Sequence, residues 1–314
     1  MNWWVPSLIR CLGLALLFLA HAERATACPQ AQASLVVPYP PGGSLDTLAR
    51  IVGSELSERS GKAILLKHVG GASGALGAKL VAKARRDGCT LLLGSLNSVV
   101  LAPSLQPDAG FQPGELQAVQ QIGTTEYFVL AHPDVGITAT TIDRLPAAAI
   151  AFGRRLGAGH PGSETAQYQG LVAVEQALGL DTIRVPYRGS GPMINDLLAG
   201  HIDFAIVAAP AAAPLVRNGQ AISLGNVSEW LAGRGRDSFT AWSGVFVPTG
   251  TPEAASQWLR DALRAALEDR DVQATLLALG SPTPSAAAQA SFALRVQNDI
   301  RKYARSRATG PVRR

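Results

Sequence analysis

The amino-acid sequence predicts an α/β protein with two lobes, each built on a mainly parallel sheet flanked by helices. Three observations support this prediction. Short apolar segments alternate with amphipathic helical segments along the 314 residues, a length that suits two domains. A glycine-rich turn leads into a helix in both halves of the chain. Extended segments near 116–130 and 220–228 are predicted to cross between the halves as a two-strand hinge.

Residues 1–27 precede the predicted fold and are typical of a secretory signal peptide. Arg10 is followed by the short apolar run CLGLALLFLA and then by small residues that suit cleavage after Ala22 or Ala27. The run is too short for a membrane span, so we expect the mature protein in the periplasm. Lipid attachment at Cys28 is the less favoured alternative, because Ala25 stands where a lipoprotein signal usually has leucine.

The composition indicates a globular chain with a modest positive charge. Apolar residues make up 47% and charged residues 16%, which is not the composition of a disordered protein, and the net charge is +5. A mildly basic protein is compatible with a small anionic ligand. The basic residues are not interleaved with aromatic ones, so we expect no nucleic-acid partner. We also expect the protein to be a monomer.

The first half of the mature chain alternates strand and helix. The predicted order is the strand SLVVPY, the helix DTLARIVGSELSERS, the strand KAILLKHV, a helix in GASGALGAKLVAKARRDG, the strand CTLLLGS and the loop NSVVLAPSL. The glycines Gly71, Gly74 and Gly77 do not form G-x-G-x-x-G, so we expect no nucleotide cofactor.

The second half repeats this alternation after the strands LQAVQQIG and EYFVLAHPDVG. We predict the helix TIDRLPAAA, the strand AIAFG, the loop RRLGAGHPGS, the helix ETAQYQGLVAVEQALG, the strand DTIRVPY, the helix MINDLLAG, the strand HIDFAIVAAP, the helix AAPLVRNG and the strand AISLGNVSE. The extended segment AWSGVFVPTGTP and two amphipathic helices, EAASQWLRDALRAALED and AAQASFALRVQNDIRKYARS, complete the chain.

The stretch VVPYPPGGSLDTLAR joins the first strand to the first helix. Two prolines end the strand, Gly42 and Gly43 permit positive φ and leave room for a ligand, and Ser44 or Asp46 can cap the helix. Free N–H groups and the positive end of the helix dipole then point to one place, which favours an anion. A tight turn without any ligand would use the same residues.

The second half contains the same arrangement in GAGHPGSETAQY: glycines and a proline, a serine, an acidic residue and then a helix. Two helix N-termini that face each other across a cleft, at the carboxyl ends of their strands, would hold a carboxylate between them. A pair of such turns therefore favours ligand binding more than one turn does.

Cys28 and Cys89 are candidates for a disulfide in the oxidising periplasm. Each cysteine comes just before an apolar strand, SLVVPY for the first and TLLLGS for the second. The two thiols would meet only if these strands are parallel neighbours in the sheet.

An exported α/β hydrolase is the rival interpretation from another functional class. Ser95 or Ser163 would be its nucleophile, but GSLNS lacks the second glycine of a G-x-S-x-G elbow. The histidines show no metal-binding spacing, and His160 with Glu164 lacks a third ligand. We therefore expect neither catalysis nor a metal.

The motifs taken together resemble the Bug receptors, the substrate-binding proteins of tripartite tricarboxylate transporters. The resemblance is carried by VVPYPPGGSLDTLAR, GASGALGAKLVAKARRDGCTLLLGS with NSVVLAPSL, VPYRGSGPMINDLLAGHIDF and FVPTGTP, in order along the mature chain. It implies a type II periplasmic-binding-protein fold, with 28–122 and 226–314 as lobe I and 123–225 as lobe II. It also implies a small organic carboxylate as ligand, with membrane transporter subunits, or alternatively a sensor kinase, as partner.

The resemblance further implies that backbone N–H groups of the two glycine loops bind the ligand. Carried over by position, the ligand-binding residues are Tyr39, Gly42, Gly43, Ser44, Asp46, Ser95, Asn97, Gly162, Ser163, Glu164, Thr165, Tyr187 and Arg188. The chain departs from the family after HIDF, where Val207 and Ala208 stand in place of a common Asp-Asn pair. This departure predicts a smaller or more apolar ligand tail.

Overall fold

The structure is a computed structural model that describes residues 28–106, 108–137, 141–236 and 240–308. The signal peptide predicted for 1–27 lies outside the described residues. The strands are β1 (Gln32–Val37), β2 (Ala63–His68), β3 (Thr90–Ser95), β4 (Leu116–Thr125), β5 (Tyr127–Ala131), β6 (Leu156–His160), β7 (Thr182–Pro186), β8 (Phe204–Ala208), β9 (Ile222–Asn226) and β10 (Ala241–Pro248).

Helices connect these strands and cover both faces of the sheets. They are α1 (Ser44–Ser60), α2 (Ala75–Ala82), α3 (Ala102–Leu105), α4 (Leu145–Phe152), α5 (Ala166–Leu178), α6 (Ser190–Leu198), α7 (Ala209–Arg217), α8 (Val227–Ala232), α9 (Glu253–Glu268), α10 (Arg270–Ala278), α11 (Ala286–Ala290) and α12 (Phe292–Ala308). Within the described ranges, no helix is both long enough and apolar enough to cross a membrane.

Two sheets with the same internal order define two lobes, as the sequence predicts. The sheet of lobe I has the order β2-β1-β3-β10-β4, and that of lobe II has the order β7-β6-β8-β5-β9. In each sheet the fourth strand is antiparallel to both neighbours, while the other strands run in one direction. The antiparallel strand β10 of lobe I follows lobe II in the chain, so the lobes are joined by two connections.

The core of lobe I follows from its central strand. Leu91 and Leu93 of β3 are fully buried and pack with Leu48 and Leu56 of α1. The helix α9 adds its own apolar stripe, including Leu259, to the same cluster. Apolar residues at helical spacing thus cover one face of the sheet.

Hydrogen bonds fix the first crossing between the lobes to lobe II. Glu126 lies between β4 and β5, and its Oε2 accepts a hydrogen bond of 2.8 Å from Asn226 Nδ2 at the end of β9. The backbone oxygen of Glu126 also accepts a bond from Ala209 N at 2.9 Å. The helix α8 after β9 still belongs to lobe II, because Trp230 Nε1 donates to Asp143 Oδ2 of that lobe.

Three predicted elements differ from the structure. The predicted strand AIAFG is the last part of α4, and β6 is Leu156–His160, which the sequence predicts as a loop. The segment LGAGH lacks β-branched residues, so its local preference for a strand is weak, and pairing with β7 and β8 decides its conformation. The predicted loop NSVVLAPSL forms a π-type turn over Leu96–Leu101 followed by α3.

The structure joins Cys28 and Cys89 in a disulfide with a Cα–Cα distance of 4.6 Å. The two strands are parallel neighbours, since Ser34 of β1 pairs with Thr90 of β3 and Ser34 N donates to Cys89 O. Cys28 is buried, and its thiol cannot carry a lipid while it is in this bond.

Candidate ligand-binding site

A cavity lies between the two lobes, where the carboxyl ends of their strands face each other. It is lined by Tyr39, Gly43, Ser44, Leu45, Leu48, Ser95, Asn97, Thr125, Tyr127, Pro161, Gln167, Ser190, Ala208, Ala241, Trp242 and Ser243. None of these side chains carries a formal charge. The described part of the cavity is therefore an uncharged site of aliphatic, aromatic and polar side chains, contributed by both lobes.

The N-terminus of α1 opens onto this cavity. Gly42 has a φ of +84°, whereas Gly43 is extended at −92° and serves as the N-cap, so only the first glycine needs positive φ. Gly43 does not use the positive φ that glycine permits at either position. Thr47 N already donates to Gly43 O, which leaves the N–H groups of Ser44 to Asp46 without an acceptor inside the helix.

The side chain of Asp46 does not line the cavity but holds the loop together. Its Oδ2 accepts from Gly42 N at 3.0 Å and from Arg50, and its Oδ1 lies 2.7 Å from His68 Nε2. Burial alone would raise the pKa of Asp46, but the bonds from Gly42, His68 and Arg50 outweigh it and hold the pKa below its ordinary value. Asp46 thus fixes the turn that presents the α1 N-terminus.

Tyr39, Ser95 and Asn97, which the resemblance implies as ligand-binding residues, all line the cavity. The Tyr39 hydroxyl donates to Ser73 O at 2.9 Å, and Ser95 caps the π-type turn through Ser98. Asn97 reaches across the cleft: its Oδ1 accepts from Ala166 N at 2.9 Å and its Nδ2 donates to Gln167 Oε1 at 2.8 Å. Asn97 therefore occupies the N-terminus of α5.

The second glycine loop contributes less to the cavity than the sequence predicts. Gly162, Ser163, Glu164 and Thr165 do not line it, whereas the flanking Pro161 and Gln167 do. Thr165 is buried and caps α5, accepting from Tyr168 N and donating to Gly162 O.

Glu164 faces the other lobe rather than the cavity. Its Oε2 accepts from Ser73 Oγ at 2.8 Å and from Gln106 Nε2 at 2.9 Å, and its Oε1 accepts from Ser163 Oγ at 2.6 Å. Burial alone would raise the pKa of Glu164, but these three hydrogen bonds outweigh it and keep the pKa below its ordinary value. The carboxylate is therefore ionised at neutral pH.

The N-terminus of α6 is the part of lobe II that faces α1. Ser190 lines the cavity, and a Cβ atom added to Gly191 would lie 2.1 Å from the backbone oxygen of Pro41 in lobe I. Tyr187 and Arg188, just before it, do not line the cavity. The Tyr187 hydroxyl donates to Asp196 Oδ2 at 2.7 Å, and Arg188 is exposed.

Several lining residues come from segments that the sequence did not single out for binding. Thr125, Tyr127, Trp242 and Ser243 belong to the strands at the crossings between the lobes. The Ser243 hydroxyl is buried and has no hydrogen-bond partner among the described residues. A buried hydroxyl without a partner costs about 1–3 kcal/mol, so a bound ligand or water would stabilise it.

The floor of the cavity is formed by Ala208 but not by Val207, which packs into the core of lobe II. His160 lies at the end of β6 with its ring 4.7 Å from that of Tyr168. Burial lowers the pKa of His160, so its imidazole is neutral at neutral pH. No group of three or more potential metal ligands occurs among the described residues.

The arrangement suits a small anion. Two helix N-termini, α1 from lobe I and α6 from lobe II, meet at an uncharged cavity with hydroxyl and amide side chains around it. Backbone N–H groups and the positive ends of helix dipoles bind a carboxylate without a buried cation.

Comparisons with known proteins agree with this geometry. The family model described as tripartite tricarboxylate transporter family receptor, TctC, matches residues 48–305. A UPF0065 protein from the tcbD-tcbE intergenic region of Pseudomonas sp. strain P51 is 31% identical over 286 residues, covering 85% of this chain and 83% of the relative. Protein BugT of Bordetella pertussis is 27% identical, covering 95% of this chain and 96% of BugT.

Among solved structures, MatC from Rhodopseudomonas palustris with bound malate superposes with a TM-score of 0.76 at 26% identity, covering 87% of this chain and 97% of MatC. The resemblance to the Bug receptors and the two-lobed type II fold, both predicted from the sequence, are thereby confirmed. The chain belongs to the tripartite tricarboxylate transporter family receptors, a family of periplasmic solute-binding proteins.

Proposed function

We propose that this protein is an extracytoplasmic receptor that binds a small organic carboxylate between its lobes. One observation carries the proposal: the N-termini of α1 and α6, from opposite lobes, line the same uncharged cavity. Malate bound to the related MatC supports a carboxylate as the ligand class. The receptor would then hand its ligand to the membrane subunits of a tripartite tricarboxylate-type transporter.

Binding proceeds by closure of the two lobes. The ligand carboxylate accepts hydrogen bonds from the first turn of α1, and the remaining part of the ligand meets Trp242, Ser243 and Ala208. Groups on both lobes touch the ligand only when the lobes approach, so the ligand favours the closed state through its differential contacts.

We further propose that the chain passes from lobe I to lobe II at Glu126 and returns after Arg234. The boundary expected after residue 122 falls within β4, which stays in the sheet of lobe I to Thr125. Beyond the boundary expected at 226, Trp230 and Arg234 still bond to Asp143 of lobe II. The hydrogen bond from Asn226 to Glu126 holds the first crossing against lobe II and supports a hinge at Glu126.

A binding role explains the serines better than a hydrolase does. Ser95 is engaged in capping the π-type turn, and Ser163 hydrogen-bonds to Glu164 on the surface of lobe II. The hydrogen bonds described for these two hydroxyls include none to a histidine, and a catalytic serine needs a base beside it. The proposal is therefore saturable binding without turnover.

The test is a thermal-shift screen of the mature protein with small mono-, di- and tricarboxylates, followed by calorimetric titration of each acid that raises the melting temperature. A ligand at about a hundred times its Kd should add about 2.7 kcal/mol to the stability. If no carboxylate shifts the melting temperature, the ligand class is wrong. Uptake of the labelled acid by cells with and without the gene then separates transport from signalling to a sensor kinase.

A further inference from the structure

The lobes touch each other at a second place, outside the cavity. Glu164 of lobe II accepts hydrogen bonds from Ser73 Oγ and Gln106 Nε2, which both belong to lobe I. Neither Ser73 nor Gln106 lines the cavity, and Glu164 does not line it either. These three residues therefore join the lobes without access to the proposed ligand.

The backbone on both sides of this contact is adapted to close approach. Gly162 has a φ of +133°, and a Cβ atom there would lie 2.3 Å from Ser73 Oγ. On the opposite side, Ala72 and Ser73 take φ values of +49° and +53°, which are uncommon for residues other than glycine. Backbone strain of this kind persists only where the surrounding structure imposes it and is often found at switch regions.

A hydrogen bond from lobe I holds Ser73 in place. The hydroxyl of Tyr39, which also lines the cavity, donates to Ser73 O at 2.9 Å. The strained turn at Ser73 is thus connected to the wall of the cavity through one side chain.

We infer that Glu164, Ser73 and Gln106 form a latch that stabilises the closed receptor and so sets its affinity without touching the ligand. This inference rests on the proposed function, because closure has a purpose only if a ligand enters the cleft. In the open state water hydrates all three side chains, and on closure they exchange water for charge-assisted hydrogen bonds. The apparent Kd falls as the closed fraction rises, so Glu164 is a positioning residue for binding.

The test measures closure without any ligand. Spin labels are attached at one exposed position of each lobe, Glu58→Cys and Ala151→Cys, and the distances between them are recorded for the mature protein and for Glu164→Ala. Asp181→Ala is the matched control, because this exposed carboxylate of lobe II pairs with Arg155 of its own lobe. We expect Glu164→Ala to shift the population towards longer distances and Asp181→Ala to leave the distances unchanged.

A double-mutant cycle completes the test. Glu164→Ala and Ser73→Ala should each lengthen the distances, and the double variant should add little to either single variant. With an acid identified by the screen, Glu164→Ala should weaken binding roughly tenfold. Identical distances in the parent protein and Glu164→Ala would overturn the latch. Shifted distances support it even if no acid binds, in which case only the carboxylate proposal fails.

Discussion

The two glycine loops of this protein are similar in sequence, but their acidic residues contact different lobes. In the first loop, Asp46 turns back onto its own lobe and bonds to Gly42 N and His68, and the N-terminus of α1 stays open to the cavity. In the second loop, Glu164 turns outwards and bonds to the other lobe, while Asn97 occupies the N-terminus of α5. In our proposal, the first loop binds the ligand and the second stabilises the closed lobes.

The position of the acidic residue relative to the helix explains this difference. Asp46 is the third residue of α1, where a carboxylate reaches back to the loop N–H groups that precede the helix. Glu164 comes one residue before the N-cap Thr165, so its longer side chain points away from the helix. The position of the acidic residue, inside the first turn of the helix or before its N-cap, thus decides which lobe the carboxylate contacts.

The largest effect is expected at Gly191, where α6 approaches the first loop. Gly191→Ala places a methyl group 2.1 Å from Pro41 O, so the lobes cannot close fully. Ligand binding should weaken by about a hundredfold or more, since close-packed contacts do not absorb such an overlap. The melting temperature of the ligand-free protein should not fall, because alanine is a better helix former than glycine.

Calorimetric titration measures the binding of this variant, and Gly114→Ala is its control. Gly114 has no atom within 4 Å of an added Cβ and does not require positive φ. Full affinity in Gly191→Ala would show that the α1 and α6 N-termini do not meet in the bound state, and the contrast between the two loops would then lose its basis.

Asn97→Ala tests whether Asn97 keeps the ligand away from the N-terminus of α5. The substitution removes two hydrogen bonds across the cleft, to Ala166 N and Gln167. Because these groups regain water in the open state, we expect affinity to fall by about 1–3 kcal/mol with little change in ligand-free stability. Tighter binding by Asn97→Ala would mean that the exposed α5 N-terminus itself takes up the anion.

Ser243→Ala tests whether the Ser243 hydroxyl binds the ligand or only supports the wall of the cavity. The hydroxyl has no partner among the described residues, so its removal should leave the ligand-free protein as stable as before or more stable. Affinity should fall by about 0.5–1.5 kcal/mol if the ligand bonds to this hydroxyl. Chemical denaturation and titration give the two quantities. A loss of stability with unchanged affinity would show that the Ser243 hydroxyl stabilises the fold and does not bind the ligand.

The smallest effect is a pH dependence that belongs to the first loop. The pKa of Asp46 is lower in the folded protein than its unfolded value of about 3.9. Its contribution to stability is therefore present above that pH and is lost as the pH falls through the folded pKa. Between about pH 4 and pH 3, the free energy of unfolding should decrease less steeply in Asp46→Asn than in the parent protein. Equal slopes would exclude this role for Asp46.

Part of the site could be predicted because it depends on local geometry. Strand, glycine turn and helix follow one another around Gly42, so the open N-terminus of α1 is visible in a short window of sequence. The contributions of Trp242 and Ser243 were not visible, because β10 reaches the cavity only by pairing with β3 and β4, more than a hundred residues earlier in the chain.

The strand β6 shows the same limit within the fold. LGAGH has little β propensity of its own, and only its place between β7 and β8 makes it a strand. The contacts of Glu164 could not be predicted for a related reason: Ser73 and Gln106 are far from it in sequence and belong to the other lobe.

The sequence by itself determined the alternation of strands and helices, the family and the two glycine turns, because spacing, turn chemistry and capping act over a few neighbouring residues. Only the tertiary structure decided which of those turns faces the cavity and which joins the lobes. Helix N-termini bind whatever acceptor is nearest, and whether that acceptor is a ligand or Asn97 depends on how the two lobes are placed.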